Sequence, residues 1–336
     1  MALDLLLAAL GLVILLLAGD ALVRGAVNMS LRIGIPAMIV SLTIVAFGTS
    51  APELLISVSA ILDGAPGLAL GNVVGSNIAN VLLVLGLPAV ISVIHSSGSD
   101  SRTSFAQMIA ATVLFVGLAL TGPITWVDGL ILLAGLTLML GHALHSARGH
   151  RRAKKHRVSA AAAAKADAPE PTDARAEPEP EVEGADPSMR WWKIVVYLAL
   201  GLAGLPLGAN LLVDSSIAIA TALNVPDTVI GLTLVAVGTS LPELATTVIA
   251  ALRRQADVAL GNVIGSNMFN LLGILGVASL VGPIPVDPEI RNFDLWVMLG
   301  ASLLLVPFVW FRRDMGRRVG LAFCALYGVY LWAVVA

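Results

Sequence analysis

The sequence predicts an all-α, polytopic membrane protein of ten transmembrane helices, arranged as two inverted five-helix repeats. Three observations predict it: apolar composition from end to end, a one-sided distribution of basic residues, and an ungapped internal repeat. Of 336 residues 57% are apolar and only 12% charged, and the mean hydropathy is +0.91. A soluble domain of that composition would expose large aggregating patches. Apolar runs of about 20 residues, each able to cross roughly 30 Å of hydrocarbon as a helix, recur along the chain. They place spans at roughly 3–22, 36–62, 67–94, 105–121, 124–146, 191–221, 226–252, 257–283, 291–311 and 316–336.

The first segment begins Met1-Ala2-Leu3-Asp4, with no basic n-region, and runs directly into more membrane-grade sequence, so it reads as a retained helix rather than a signal peptide. Basic residues near membrane ends stay on the cytoplasmic side. With the amino terminus outside, Arg24, Arg32, Arg102, the 148–193 stretch, Arg253, Arg254, Arg312, Arg313, Arg317 and Arg318 all fall inside. The opposite connections carry or adjoin Asp63, Asp128, Asp227, Asp287 and Glu289, with Arg291 the one basic exception. Both termini are therefore expected outside, in the inner membrane of the cell.

Residues 1–146 form the first repeat and 190–336 the second, separated by a disordered cytoplasmic linker over 147–189. The linker opens on a basic run, Arg148 to Arg157, continues through an Ala-rich tract and closes in a Pro/Glu stretch near Asp186. Such a segment buries too little apolar surface to fold alone. The basic run reads as a topology anchor; binding of anionic lipid headgroups is its functional alternative. Trp191 and Trp192, beside Arg190 and Lys193, read as an interfacial belt. His142, His145, His150 and His156 lie at or beyond the fifth span and receive no role. Cys324 is the sole cysteine, which excludes a disulfide framework or thiolate cage.

Residues 39–86 align with 229–276 at an offset of 190 without a gap, and 25 of the 48 positions are identical. The identities include polar ones that shared hydrophobicity does not explain: Gly48-Thr49-Ser50 with Gly238-Thr239-Ser240, and Pro52-Glu53 with Pro242-Glu243. A second block pairs Gly71-Asn72, Gly75-Ser76-Asn77 and Asn80 with Gly261-Asn262, Gly265-Ser266-Asn267 and Asn270. These blocks centre two larger repeats, about 36–94 and 226–283. An odd number of helices separates equivalent positions, so the copies enter the membrane from opposite sides. Inverted repeats are a frequent plan of secondary transporters, with substrate bound near the midplane where the repeats meet.

Glu53 and Glu243 fall within otherwise apolar spans, where a central acidic residue costs about 2.5–3.5 kcal/mol and marks a functional site by default. A structural contact between helices is the plainer alternative. On a helix the hydroxyls of Thr49 and Ser50 share a face with Glu53, as Thr239 and Ser240 do with Glu243. Pro52 and Pro242 clash with the carbonyls of Gly48 and Gly238, so kinks are expected that free carbonyls for a ligand. Asn72, Ser76 and Asn80 recur at steps of four on the partner helix, with Asn262, Ser266 and Asn270 as their twins. The donor set is carboxylate, hydroxyl, amide oxygen and carbonyl, without sulfur or imidazole, which suits hard cations. Calcium takes about six to eight such oxygens; sodium uses the same atoms, and competition for one cluster would couple their fluxes.

The Gly-Thr-Ser-x-Pro-Glu and Gly-Asn-Val-x-Gly-Ser-Asn blocks resemble the two alpha-repeats of the calcium/cation antiporter superfamily, with the prokaryotic sodium/calcium exchangers the nearest branch. Both repeats carry the resemblance in sequence, and the whole chain carries it in plan. It implies that Glu53 and Glu243 coordinate a central calcium, aided by backbone carbonyls of Thr49 and Thr239. It further implies that Ser50, Ser76, Ser240 and Ser266, with backbone oxygens of Ala46 and Ala236, line flanking sodium sites, and that Asn80 and Asn270 complete the diamond. The first and sixth helices are implied to slide as gates. Some relatives, archaeal and potassium-dependent exchangers among them, carry Asp where this chain has Asn270, which weakens the likeness to potassium-dependent members. The linker, roughly 45 residues, is too short for the calcium-sensing domains of animal exchangers.

Sodium/calcium antiport is thus the leading expectation. A proton-coupled exchanger of calcium or another cation is the second, favoured if either glutamate titrates near neutral pH. A passive channel or membrane scaffold, with the polar stripes serving only packing, is the third. No phosphate loop, nucleophile-base pair or cofactor fingerprint occurs, so no enzyme and no cofactor is expected. The expected partners are Ca2+, Na+ and the bilayer, with no nucleic acid and no obligate protein.

Overall fold

The computed structural model describes residues 2–95, 99–166, 186, 188–223 and 236–335. These residues are all-helical, without a β-strand. The helices are α1 (Ala2–Ile33), α2 (Ala37–Thr49), α3 (Ala51–Leu62), α4 (Pro66–Ile91), α5 (Ser99–Thr121), α6 (Trp126–Ala166) and α7 (Trp191–Ala222). Next come α8 (Leu241–Leu252), α9 (Ala256–Val281), α10 (Ile290–Val309) and α11 (Arg317–Val335). Among the described residues seven helices are long and apolar enough to cross a bilayer, and α2 with α3, bent by 41°, makes an eighth. The span expected at 226–252 starts outside the described residues, as do Met1, Ala336, Asp227 and linker residues 167–185.

The molecule is apolar outside and polar within, the arrangement that lipid as solvent requires. Leu17, Leu55, Leu62, Leu138 and Trp332 point outward, while Glu53, Asn77, Asn80, Glu243, Asn267 and Asn270 are buried. The chain is a multi-pass membrane protein.

Several element ends follow from local chemistry. Pro36 closes α1 after Gly34, whose φ of +78° allows Gly34 N and Ile35 N both to donate to Ser30 O. The turn after α3 uses Gly64 at φ +77°, and its counterpart after α8 uses Arg254 at φ +55°, each followed by the same six-residue closure onto Ala60 O or Ala250 O. An arginine in the left-handed region costs about 1–2 kcal/mol, part of which glycine would lose again as chain entropy. Arg254→Gly is therefore expected to raise thermal stability in detergent by up to about 1 kcal/mol.

α6 departs from the expected linker boundary at 147 by continuing to Ala166. The run His150–Ala166 holds neither glycine nor proline and is rich in Ala, Lys and Arg, the strongest helix formers. The far end of the linker is tied to α1: Asp186 N donates to Asn28 Oδ1 at 2.7 Å. Ser188 N and Oγ donate to the Asp186 carboxylate and hold its pKa below the usual carboxylate range.

α1 and α7 form a tight pair. A Cβ on Gly11 would lie 2.7 Å from Leu212 N, and one on Gly208 would lie 2.8 Å from Leu15 N, so the backbones meet directly. Leu15, Leu22, Leu205 and Ala209 form a small core with one side of α2 and with α8, separate from the main core of α4, α5, α6, α9, α10 and α11, to which α2 gives Met38, Leu42 and Ala46. An ion pair from Asp20 of α1 to Arg253, in the turn between α8 and α9, crosses from the pair to this body.

Two short backbone bridges stand at matching places in the halves, Ile94 matching Ile284 at the offset of 190 and Ile124 matching Met315 one residue off it. Ile94 exchanges both backbone hydrogen bonds with Met315 (3.0 and 3.0 Å), and Ile284 does so with Ile124 (2.9 and 2.8 Å). Neither Met315 nor Ile124 lies in the aligned blocks, so the internal likeness extends beyond them.

Candidate functional site

Each half breaks a membrane helix at the same residue type and in the same way. Ser50 and Ser240 precede α3 and α8 with φ/ψ of −87°/5° and −89°/5°. Proline follows at the second helical position, where its missing N–H costs nothing. Glu53 and Glu243 are then the third residues of α3 and α8, in the first turn, where the helix dipole favours negative charge. Both are 1% exposed, and neither makes an ion pair with a described residue.

The opposing helices α4 and α9 carry the polar stripes and widen into π-helix over Asn80–Val84 and Phe269–Ile274, again at the repeat offset. A π segment shifts hydrogen-bond register, a device frequent at functional sites. The halves interlock here. Ser50 Oγ donates to Glu243 Oε1 at 3.1 Å, Ser266 Oγ lies 3.5 Å from the same oxygen, and Thr49 Oγ1 reaches Asn262 Oδ1 and Ala46 O at 3.3 Å each.

Among the described residues, five buried oxygens in this region have no hydrogen-bond partner: Glu53 Oε2, Glu243 Oε2, Ser240 Oγ, Asn80 Oδ1 and Asn270 Oδ1. Unpartnered buried acceptors are costly and rare. Two buried carboxylates without a basic partner need compensating charge, which only a bound cation or protons can supply. Among the described residues no group of three or more His, Cys, Asp or Glu occurs, so the two carboxylates work with neutral oxygens alone. That donor set suits a hard cation.

Of the residues expected here, Ala46, Thr49, Ser50, Glu53, Ser76, Asn80, Ser240, Glu243, Ser266 and Asn270 are all buried. Thr239 is half-buried, and Ala236 opens the short helical turn Ala236–Gly238. Hydrogen bonds join Ala46, Thr49, Ser50, Glu243 and Ser266 directly. Asn72 instead donates to Ser57 Oγ at 3.4 Å. Sequence reasoning gave no role to Asn77 and Asn267, although their identity at the repeat offset marked them. They pair across the repeats with Asn270 at 3.1 Å and Asn80 at 3.0 Å.

The glycines of the second motif let α9 approach α2 closely. A Cβ on Gly261 would fall 2.9 Å from Met38 O, and one on Gly265 would fall 2.5 Å from Leu42 O; Ser41 Oγ also donates to Val258 O at 2.7 Å. Among the described residues nothing lies within 4 Å of a Cβ on Gly71 or Gly75, and Gly71 is exposed. α2 is thus packed on α9; the residues that match most of α2 in the second half, 227–235, lie outside the described residues.

Residues 3–144 and 193–336 match the sequence model of the family described as sodium/calcium exchanger protein. The sodium/calcium exchanger MaX1 of Methanosarcina acetivorans is 36% identical, with 96% of this chain and 95% of that protein covered. The inner membrane protein YrbG of Escherichia coli is 30% identical over 96% of this chain and 93% of that one. Among solved structures, the sodium-calcium exchanger NCX_Mj, soaked with Na+ and Ca2+, superposes with a TM-score of 0.77 at 32% identity, covering 97% of both chains.

Proposed function

The chain belongs to the sodium/calcium exchanger protein family, and from that premise we propose that it exchanges Ca2+ for Na+ at the site between Glu53 and Glu243. The observation that carries the assignment of the site is the set of five buried oxygens, one on each of the two glutamates and three on neutral side chains, that have no hydrogen-bond partner among the described residues. Calcium is held by Glu53 and Glu243, with Thr49 and Thr239 contributing backbone carbonyls and Asn80 and Asn270 their amide oxygens. Sodium occupies flanking positions made by Ser50, Ser76, Ser240, Ser266 and the carbonyls of Ala46 and Ala236. The ions draw on overlapping ligands, so one expels the other. No covalent step is needed.

The architecture we propose is ten helices in two inverted repeats, 1–146 and 190–336, with the matched bridges Ile94–Met315 and Ile124–Ile284 in support. Both termini face outward and the central segment faces the cytoplasm, as the lysines and arginines require. The name of the Escherichia coli relative favours the inner membrane. The α1–α7 pair moves as one body because its own seam is closer than its contact with the rest.

Calcium binding to the purified protein at fixed pH, titrated with NaCl against choline chloride, tests the assignment. Sodium is expected to displace calcium with a Hill coefficient above one. Displacement by protons but not by sodium would replace this reading with proton-coupled exchange.

A further inference from the structure

Four asparagines lie at the junction of the repeats, and two of them lack a role so far. Asn77 and Asn267 are each 1% exposed. Their side chains cross the pseudo-two-fold: Asn77 Nδ2 donates to Asn267 O at 3.5 Å, and Asn267 Nδ2 to Asn77 O at 3.4 Å. A backbone carbonyl can only accept, so this exchange fixes which end of each amide is nitrogen. Each nitrogen also rests near a thioether, Met298 Sδ at 3.7 Å for Asn77 and Met108 Sδ at 3.9 Å for Asn267. Those methionines are again separated by 190 residues.

With its nitrogen so engaged, the Oδ1 of each asparagine is left to accept. Asn77 Oδ1 takes the Nδ2 of Asn270 at 3.1 Å, and Asn267 Oδ1 takes the Nδ2 of Asn80 at 3.0 Å. The amides of Asn80 and Asn270 are thereby turned, and their Oδ1 atoms are the ones left buried and unpartnered. The relay runs from a backbone carbonyl, through one amide, to the orientation of a second amide in the other repeat.

We propose that Asn77 and Asn267 are positioning residues that hold Asn270 and Asn80 with oxygen rather than nitrogen facing the cation, each across the repeat boundary. This rests on the cation-site reading of Asn80 and Asn270. An amide that turned over would present two N–H groups to a cation, so an uncontrolled amide is a partial barrier rather than a ligand. The relay also disfavours a carboxylate at 80 or 270, because its oxygen would face the acceptor oxygen of Asn267 or Asn77. The asparagine pair at 77 and 267 thus matches the neutral pair at 80 and 270.

A double-mutant cycle on sodium-driven calcium uptake by reconstituted full-length protein tests the relay. Asn270→Ala and Asn77→Leu are each expected to raise the KM for calcium about tenfold with kcat changed less than about threefold. The double variant is expected to stay near tenfold, because Asn77 acts only through Asn270. A merely structural Asn77 would lower kcat and thermal stability and leave the cycle additive, near a hundredfold, which overturns the proposal. An unchanged KM in Asn270→Ala overturns it too, by removing the ligand role beneath it; if Asn270→Ala abolishes uptake, the cycle of Asn267→Leu with Asn80→Ala decides, a non-additive shift supporting the relay and an additive one overturning it. If Asn77→Leu does not fold, Asn77→Ala, which loses the same acceptor, carries the cycle.

Discussion

Glu53→Gln and Glu243→Gln are each expected to lower calcium exchange by about a hundredfold or more. Glutamine keeps the size and one oxygen but removes the charge, and the site has only two charges with which to balance a divalent ion. Removing one partner from a buried ionic assembly costs about 3–5 kcal/mol, equivalent to more than a hundredfold in affinity. The ion-free protein is expected to behave in the opposite way. Each substitution removes a buried, unpaired carboxylate, so thermal stability without calcium should be unchanged or raised. Wild-type protein should gain stability with calcium by mass action, and both variants should lose that gain. Thermal unfolding with and without calcium checks this and separates a ligand lesion from a folding lesion. The Glu243 variant carries a further defect, because Ser50 Oγ and Ser266 Oγ both lie against Glu243 Oε1.

Gly265→Ala is expected to slow exchange. In the state described, a methyl group on Gly265 would lie 2.5 Å from Leu42 O and 2.6 Å from Ala46 Cβ, so α2 must part from α9. Overpacking of this kind costs about 1–3 kcal/mol, or about five- to 150-fold in the population of this state. Amide hydrogen exchange checks this. Exchange over 37–49 should accelerate in Gly265→Ala, with turnover reduced. Wild-type protection of 37–49 in Gly265→Ala would contradict the close packing of α2 on α9.

Much of the site was legible because burying charge in hydrocarbon is expensive. Glu53 and Glu243 stand out in any hydropathy reading, and their repetition with Thr-Ser before and Pro between leaves little room for coincidence. The kink was legible for the same local reason, since Pro52 cannot continue the hydrogen-bonding of the preceding turn, and α2 and α3 do part there by 41°. The π segments at Asn80 and Phe269 were not legible, because a register shift within a helix leaves no residue signature. The continuation of α6 to Ala166 was not legible from burial, because a run with little apolar surface can still extend an existing helix where Ala, Lys and Arg supply the propensity. Asn77 and Asn267 were quoted within the motif but given no task. Their use depends on which amide in the other repeat they meet, a contact 187 to 193 residues away in sequence.

Calcium-45 uptake into sodium-loaded proteoliposomes, diluted into sodium-free choline or potassium buffer, tests the central claim most directly. Uptake is expected to require internal sodium, to be insensitive to an imposed pH gradient alone, and to vanish in both Glu53→Gln and Glu243→Gln. Uptake that follows the pH gradient without sodium, or that persists in either glutamine variant, would contradict sodium/calcium exchange at this site.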